Sequence, residues 1–513
     1  MSNKEKVYAA VYRAYSLADC NNHDNTYKEY EFRRNTVRTD ETLKDDEKRE
    51  AIKLLTKAYD DEKIRNNKGI KRICKNCNRE CLATLFCEHC VRNYLKKKFS
   101  NWTSGNDKID NLIQECQMKT INPDSIVEWI PYNNFKNIKY LTRGGFSEIY
   151  VAGWINGSYD EWDSKEQQLK RFGEQKVILK RLENIRNENH SWFVEAKSHL
   201  TVSNKWSGII QCYGLTQDPS NKIYMLVMEK LDTDLRTYLQ QNHNKLTWKE
   251  RIQFTMYIIS ALMRIHNEGA IHRDLHSGNI LFRLGGMFHV SDLGFCGPVD
   301  RPSKSIYGNL PYIAPEVIYG KKQTFESDIY SVAMLMWEIS SGQPPFINYE
   351  HNYYLAMKIV SGIRPKIVPG TPLEYKNLIE QCWDADSLKR PSIRTLMIEL
   401  KKLERMILYE SNNNSIQYER NNLEINNVSN LENHTGGTSK LHHFENLPEP
   451  RNATKEFYNA SHDFYIPDNS MYISNLYQSR KNIYEEDDIY NNPNLHPEEQ
   501  DELALPDEAN CTN

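Results

Sequence analysis

Between about residues 132 and 408 the chain alternates strand-like and helix-like segments, with apolar runs at residues 224–228 and 329–339 that call for a packed core. Within that stretch three short polar motifs follow one another: Ile271-His272-Arg273-Asp274-Leu275-His276-Ser277-Gly278-Asn279, then Asp292-Leu293-Gly294, then Ala314-Pro315-Glu316. Any one could arise by chance, but the ordered set is hard to produce accidentally. At 513 residues the chain has room for two or three structured units, and 39% hydrophobic residues supply at least one large core. A wholly disordered or fibrous chain is excluded on that composition.

These motifs resemble those of the eukaryotic protein kinase superfamily, over about residues 135–408. The resemblance implies an α+β, bilobal fold with a small β-rich lobe and a large helical lobe, binding ATP and magnesium. Phosphoryl transfer needs a carboxylate to receive the hydroxyl proton, oxygen ligands for the metal and a cation on the nucleotide phosphates. By the family pattern Asp274 is the catalytic base, while Asn279 and Asp292 are the magnesium ligands. Lys180, in Val177-Ile178-Leu179-Lys180, is the phosphate-contacting lysine; Glu195 is its partner on the next helix, with Glu188 the weaker candidate. Thr142-Arg143-Gly144-Gly145-Phe146-Ser147-Glu148-Ile149 takes the place of the glycine-rich loop. Ile149, Ile178 and Leu281 would sandwich the adenine, Met228 would be the gatekeeper, and the backbone of Glu229 and Leu231 would bond the base. Asp328 would support the catalytic loop, and Arg390 would pair with Glu316.

Two departures from the family pattern bear on activity. Thr142 and Ser147 replace the first and third glycines of the loop, and threonine stiffens the turn, which predicts weaker nucleotide binding. His276 stands where serine/threonine kinases carry a lysine; a histidine of ordinary pKa near 6.5 is mostly neutral at cellular pH and helps the transferred phosphoryl less. Asn309 and Tyr312, before Ala314, lean toward a serine/threonine substrate class. Ser303, Ser305 and Tyr307 are candidate phosphosites for pairing with Arg273. The closing motifs, with Gly342-Gln343-Pro344-Pro345-Phe346, most resemble the tyrosine-kinase-like group.

Ahead of this region, Cys74-Lys75-Asn76-Cys77 and Cys87-Glu88-His89-Cys90 are two Cys-x-x-Cys knuckles nine residues apart. Two such turns close a tetrahedral site suited to structural zinc, with Cys81 and His89 as competing ligands; a cluster of reduced thiols is the alternative. Four protein ligands would leave no position for a catalytic water. Together with the kinase-like region, this module resembles the large set of such kinases in arbuscular mycorrhizal fungi. Lys71, Arg72, Lys75, Arg79, Lys96, Lys97 and Lys98 make the module basic, but no stacking aromatics accompany them, so nucleic-acid binding is not expected.

The organisation expected is a charged, partly helical segment over residues 1–70, the cysteine-rich module and linker over 71–130, the kinase-like domain over 135–408 and a disordered tail over 411–513. Residues 41–66 carry apolar residues at helical spacing, with Thr42 and Asp45 placed as a capping box. The tail holds 18 acidic against 6 basic residues, is rich in asparagine and lacks apolar periodicity. The Asn-x-Ser/Thr triplets, Asn452 among them, are uninformative in so Asn-rich a chain. Neither a signal peptide nor an apolar run of membrane-spanning length is seen, so the expectation is a cytoplasmic protein kinase acting on protein substrates. The alternatives are a pseudokinase scaffold that binds ATP weakly, and a zinc-module binding protein regulated by the kinase-like domain.

Overall fold

The computed structural model describes residues 3–17, 25–144, 147–182, 192–206, 208–283, 287–298, 306–413 and 439–453. The chain opens with three helices, Asn3–Leu17, Thr26–Thr39 and Asp45–Asn66, which share a small core of Val7, Ala14, Val37, Ala51 and Leu55. The third helix starts later than the Thr42/Asp45 capping box would have it. Its first turn is closed instead by Glu47, whose carboxylate accepts the Lys44 amide at 2.8 Å. Near its end the fully buried Asp60 accepts the amides of Thr84 and Leu85 at 2.7 and 2.9 Å and pairs with Lys63. That carboxylate fastens the helix to the cysteine-rich module.

The module is a short hairpin, Arg72–Ile73 with Glu80–Cys81, followed by the helix Glu88–Lys97. Its core includes Trp162 and Leu169, from the hairpin of Tyr159–Asp163 and Gln168–Arg171 that is inserted between two strands of the small lobe. The insertion is therefore a bracket that clasps the module, with Tyr94 edge-on to Trp162 at 5.7 Å.

The small lobe is a six-stranded sheet in the order Glu128–Trp129, Cys212–Gln217, Tyr224–Glu229, Gln175–Arg181, Glu148–Trp154, Phe135–Arg143, antiparallel except for the first pair. Glu128–Trp129 lies upstream of residue 135, so the lobe begins earlier than its motifs suggest. A linker strand can add to an exposed sheet edge without any motif of its own.

The large lobe is helical. Helix Phe325–Ser341 is its axis, buried at every residue from Ser327 to Ser340 and ended by Gly342 at φ +74°, a left-handed position that suits glycine. Glu338 is buried here because the Tyr312 hydroxyl donates to it at 2.6 Å. Among the described residues no helix is long and apolar enough to cross a membrane. Arg390 closes the lobe: its guanidinium, with no exposed surface, binds both Glu316 oxygens at 2.7 Å and also donates to the Glu326 and Asp384 carbonyls. Arg390→Ala leaves Glu316 charged, buried and alone, so it is expected to destabilise the lobe by about 3 to 5 kcal/mol, read as a lowered thermal midpoint.

The tail differs from the disorder expected of it. Helix Ile393–Asn413 runs into it, and residues 439–453 lie along the large lobe, with strand Lys440–His442 paired to Ile306–Gly308. Composition argues against a self-sufficient core, but this stretch borrows one.

Candidate active site

The cleft between the lobes holds a cavity of about 510 Å³. Strand Gln175–Arg181 sends Val177 and Leu179 into the small-lobe core, and its two-residue period turns Ile178 and Lys180 to the cavity. Lys180 Nζ lies 2.8 Å from Glu195 Oε1 and 2.7 Å from Asp292 Oδ1. Glu195 arrives on helix Trp192–Val202, whose Ala196 and Leu200 share a core with Ile109, Leu112 and Ile113 of the preceding helix Asp107–Lys119. Segments upstream of the lobe thus set the position of this carboxylate.

Burial disfavours all three charges, and each resolves it differently. At Lys180 the two carboxylates outweigh desolvation and raise its pKa. The Asp292 carboxyl is held far below the usual carboxylate range by the Lys180 ammonium, despite its burial. At Glu195 burial prevails and the pKa is raised. One turn beyond, His199 is fully enclosed, and burial, reinforced by Lys180, pushes its pKa down to about 3, so the ring stays neutral.

The loop bearing Asp274 is held from below. Asp328 accepts the backbone amides of His272 and Arg273 at 2.8 and 3.0 Å and meets His266 Nε2 at 2.8 Å. Arg273 and Asp292 hold φ of +71° and +56°, conformations that persist in non-glycine residues only when surroundings enforce them. Asn279 donates from Nδ2 to the Asp274 carbonyl at 2.8 Å, which leaves its Oδ1 as the acceptor facing the cavity.

Of the residues expected to hold nucleotide, Thr142, Gly144, Ser147, Ile149, Ile178, Lys180, Met228, Glu229, Leu231 and Leu281 all line the cavity. Asn279 and Asp292 line it too, while Asp274 lies outside its lining and accepts the Ser439 hydroxyl. Gly145, Phe146, Glu188, Ser303 and Ser305 lie outside the described residues. The Glu229 amide is committed to the Gln211 carbonyl at 3.0 Å.

Two residues at the site escaped the sequence reading. Tyr307, considered only as a phosphosite, is buried, stacks on Phe295 at 3.7 Å and lines the cavity. Ser439, in the tail, puts its hydroxyl 2.7 Å from Asp274 Oδ1 and 3.0 Å from His276 Nε2. Nothing in the local sequence marks it beyond a brief break from asparagine-rich chain into Lys440-Leu441-His442.

At the front module the four knuckle sulfurs converge: Cys74 to Cys90 and Cys77 to Cys87 are each 3.7 Å apart, and all four lie within 4.8 Å of one another. Four thiolates at about 2.3 Å from one zinc ion would stand about 3.8 Å apart, so the set matches a tetrahedral cage and is far too open for disulfides. Of the competing ligands, Cys81 donates to the Arg72 carbonyl at 3.4 Å, and His89 meets the Glu80 carbonyl at 3.1 Å.

The sequence pattern described as protein tyrosine and serine/threonine kinase matches residues 135–400. The chain belongs to this kinase family. It is 32% identical over 188 residues to the mouse dual serine/threonine and tyrosine protein kinase, covering 36% of this chain and 20% of that protein. The human counterpart is 34% identical over 171 residues, which is 33% of this chain and 18% of that one. A probable serine/threonine-protein kinase, roco5 of Dictyostelium discoideum, is 27% identical over 337 residues, 61% of this chain and 11% of that one. This kinase chain spans a fifth or less of the length of these relatives. Its kinase domain accounts for the β-rich lobe, the helical lobe and the cleft between them.

Proposed function

We propose that the chain is an ATP-dependent protein kinase of signal transduction, transferring the γ-phosphoryl to Ser or Thr hydroxyls of protein substrates. The observation that carries this reading is the contact of Lys180 with both Glu195 and Asp292 on one wall of the cavity. A lysine so held is rigid and charged, and it is free to meet nucleotide phosphates as Asp292 turns to metal. Asn279 Oδ1 and the Asp292 carboxylate fit the oxygen preference of magnesium, which would neutralise the phosphates when bound. Ile149, Ile178 and Leu281 offer an apolar slot for the adenine, behind Met228. With the Glu229 amide committed, that residue would contact the base through its carbonyl, and Leu231 through its amide.

Asp274 would take the hydroxyl proton. His276 accepts the Gly278 amide on Nδ1 at 3.1 Å, so its proton is on Nε2, pointing to the place where an acceptor hydroxyl lies. The ring would thus orient the acceptor by a hydrogen bond where a lysine would do so by charge. Tyr312, held by Glu338, and the docked Ser439 favour a Ser/Thr acceptor. Cys74, Cys77, Cys87 and Cys90 would hold a structural zinc, and the pairing of this module with the kinase domain supports the tyrosine-kinase-like group and its fungal set. Cytoplasmic placement belongs to the same reading.

The test is magnesium-dependent transfer from labelled ATP to a generic protein substrate, comparing the natural chain with Asp274→Asn. The substitution is expected to slow transfer by about 10² to 10⁴-fold, the worth of a general base, and the labelled residues should be Ser or Thr. Nucleotide binding without any transfer by the natural chain would instead support the pseudokinase scaffold.

A further inference from the structure

The proposed kinase activity does not by itself say which hydroxyl is phosphorylated, but residues 439–453 occupy the place where an acceptor would lie. We propose that Ser439 is an intramolecular phosphorylation site, modified by the active site of its own chain. This assignment rests on the kinase reading given above.

Ser439 is 6% exposed, and its hydroxyl donates to Asp274 Oδ1 at 2.7 Å while receiving the proton of His276 Nε2 at 3.0 Å. A candidate base must lie about 2.6 to 3.2 Å, heavy atom to heavy atom, from the hydroxyl whose proton it abstracts, and Asp274 Oδ1 satisfies this for Ser439 Oγ. The register is set by backbone pairing: His442 lies opposite Ile306, Leu441 opposite Tyr307 and Lys440 opposite Gly308. His442 Nε2 meets the Gly308 carbonyl at 3.0 Å, and its ring stacks on Phe444. Added-strand binding of this kind draws affinity from main-chain hydrogen bonds and leaves side chains to choose the register.

Gly308 allows the close approach. Its φ is +139°, and a Cβ there would meet Asp274 Oδ1 and Ile313 at 3.3 Å, crowding the base that the strand must reach. The far end of the segment is anchored separately. The Arg451 amide donates to the Val360 carbonyl at 3.1 Å, and Asn452 bonds both the Ala385 amide and the Asp384 carboxylate. At Gly362 a Cβ would fall 2.2 Å from the Ala453 nitrogen, so the lobe is shaped to receive this chain. Two anchors, the strand Lys440–His442 and the contacts of Arg451 and Asn452, both follow Ser439 in the chain and hold its hydroxyl at high effective concentration beside Asp274.

In the transfer, Ser439 Oγ attacks the γ-phosphorus of ATP. The Oγ–P bond forms as the bond to the ADP oxygen breaks, and the hydroxyl proton passes to Asp274 and then to water. ADP leaves carrying the bond's electron pair. The product places a dianionic phosphate beside the Asp274 carboxylate, and that repulsion expels the strand and opens the site to other substrates.

The test uses the full chain, first treated with phosphatase and then given magnesium and ATP, with phosphate at Ser439 followed by mass spectrometry. A generic protein substrate is present in a parallel reaction. The expected result is a first-order appearance of phospho-Ser439 at a rate unchanged by dilution, and none on an admixed Asp274→Asn chain. Ser439→Ala loses the signal, while Ser439→Thr keeps it at the same position, which guards against a variant that merely misfolds. Transfer to the added substrate with Ser439 unmodified overturns this assignment and leaves the kinase reading intact. A rate at Ser439 that rises with protein concentration overturns it equally, and transfer to neither acceptor overturns both.

Discussion

Lys180→Met is expected to lower the rate of phosphoryl transfer at saturating ATP by about 10² to 10³-fold, the typical loss when one preorganised donor to a developing charge is removed. The reason is specific to this cavity. Lys180 is the counter-ion of two buried carboxylates at once, 2.8 Å from Glu195 and 2.7 Å from Asp292, so removing it leaves two acids facing each other in a desolvated site. Of the two, Glu195 already has the pKa raised by burial, and it is the one expected to take up a proton. Protonation spares the fold but frees the helix Trp192–Val202 from the cavity wall. The variant should therefore remain folded, with a lowered thermal midpoint, and bind nucleotide less tightly in a titration with a fluorescent ATP analogue. Transfer at the natural rate by Lys180→Met would sink the mechanism, because no other lysine lines the cavity near Asp292 among the described residues.

Removing metal from the front module is the second large effect. If the cage of Cys74, Cys77, Cys87 and Cys90 holds zinc, its binding free energy is folding free energy, about 10 to 16 kcal/mol in small zinc modules at neutral pH. The chain as isolated is expected to contain one zinc ion per molecule by elemental analysis. A strong chelator should then release it, make the knuckle thiols reactive and melt the hairpin and helix Glu88–Lys97. Because Trp162 and Leu169 belong to the same core, their inserted hairpin should loosen too, with a change in tryptophan fluorescence. Cys90→Ser should reproduce the effect without chelator. A metal-free chain of unchanged thermal stability would mean that the sulfurs are merely packed thiols and that the small core holds the module without metal.

Much of the candidate site was legible in the sequence because its side chains sit at short local spacings. Asp274 and Asn279 lie five residues apart on one loop, and Lys180 follows a run of apolar residues whose strand period sends it to one face. The ion pair of Arg390 with Glu316 and the support of the loop by Asp328 could also be read from short motifs. The knuckle cysteines were legible for the same reason, as a tight turn aims both sulfurs of a Cys-x-x-Cys.

Other features depend on contacts between segments far apart in the chain, and these carry no local signature. The strand Glu128–Trp129 has two residues and no pattern, and only the open edge of Cys212–Gln217 makes it a strand. The inserted hairpin gains its core only where the cysteine module covers Trp162 and Leu169. Tyr307 could be named as a hydroxyl but not as a cavity wall, because its burial depends on Phe295 folding beneath it. The tail shows the limit most plainly: its composition rightly denies it a core of its own, and yet Ser439 reaches Asp274 across 165 residues of sequence. Sequence by itself determined which chemical groups this protein has and how neighbouring ones are spaced, since those follow from covalent geometry and local periodicity. Only the tertiary structure decided which hydroxyl meets Asp274, because a strand that completes another segment's hydrogen bonds is stabilised by its partner and not by itself.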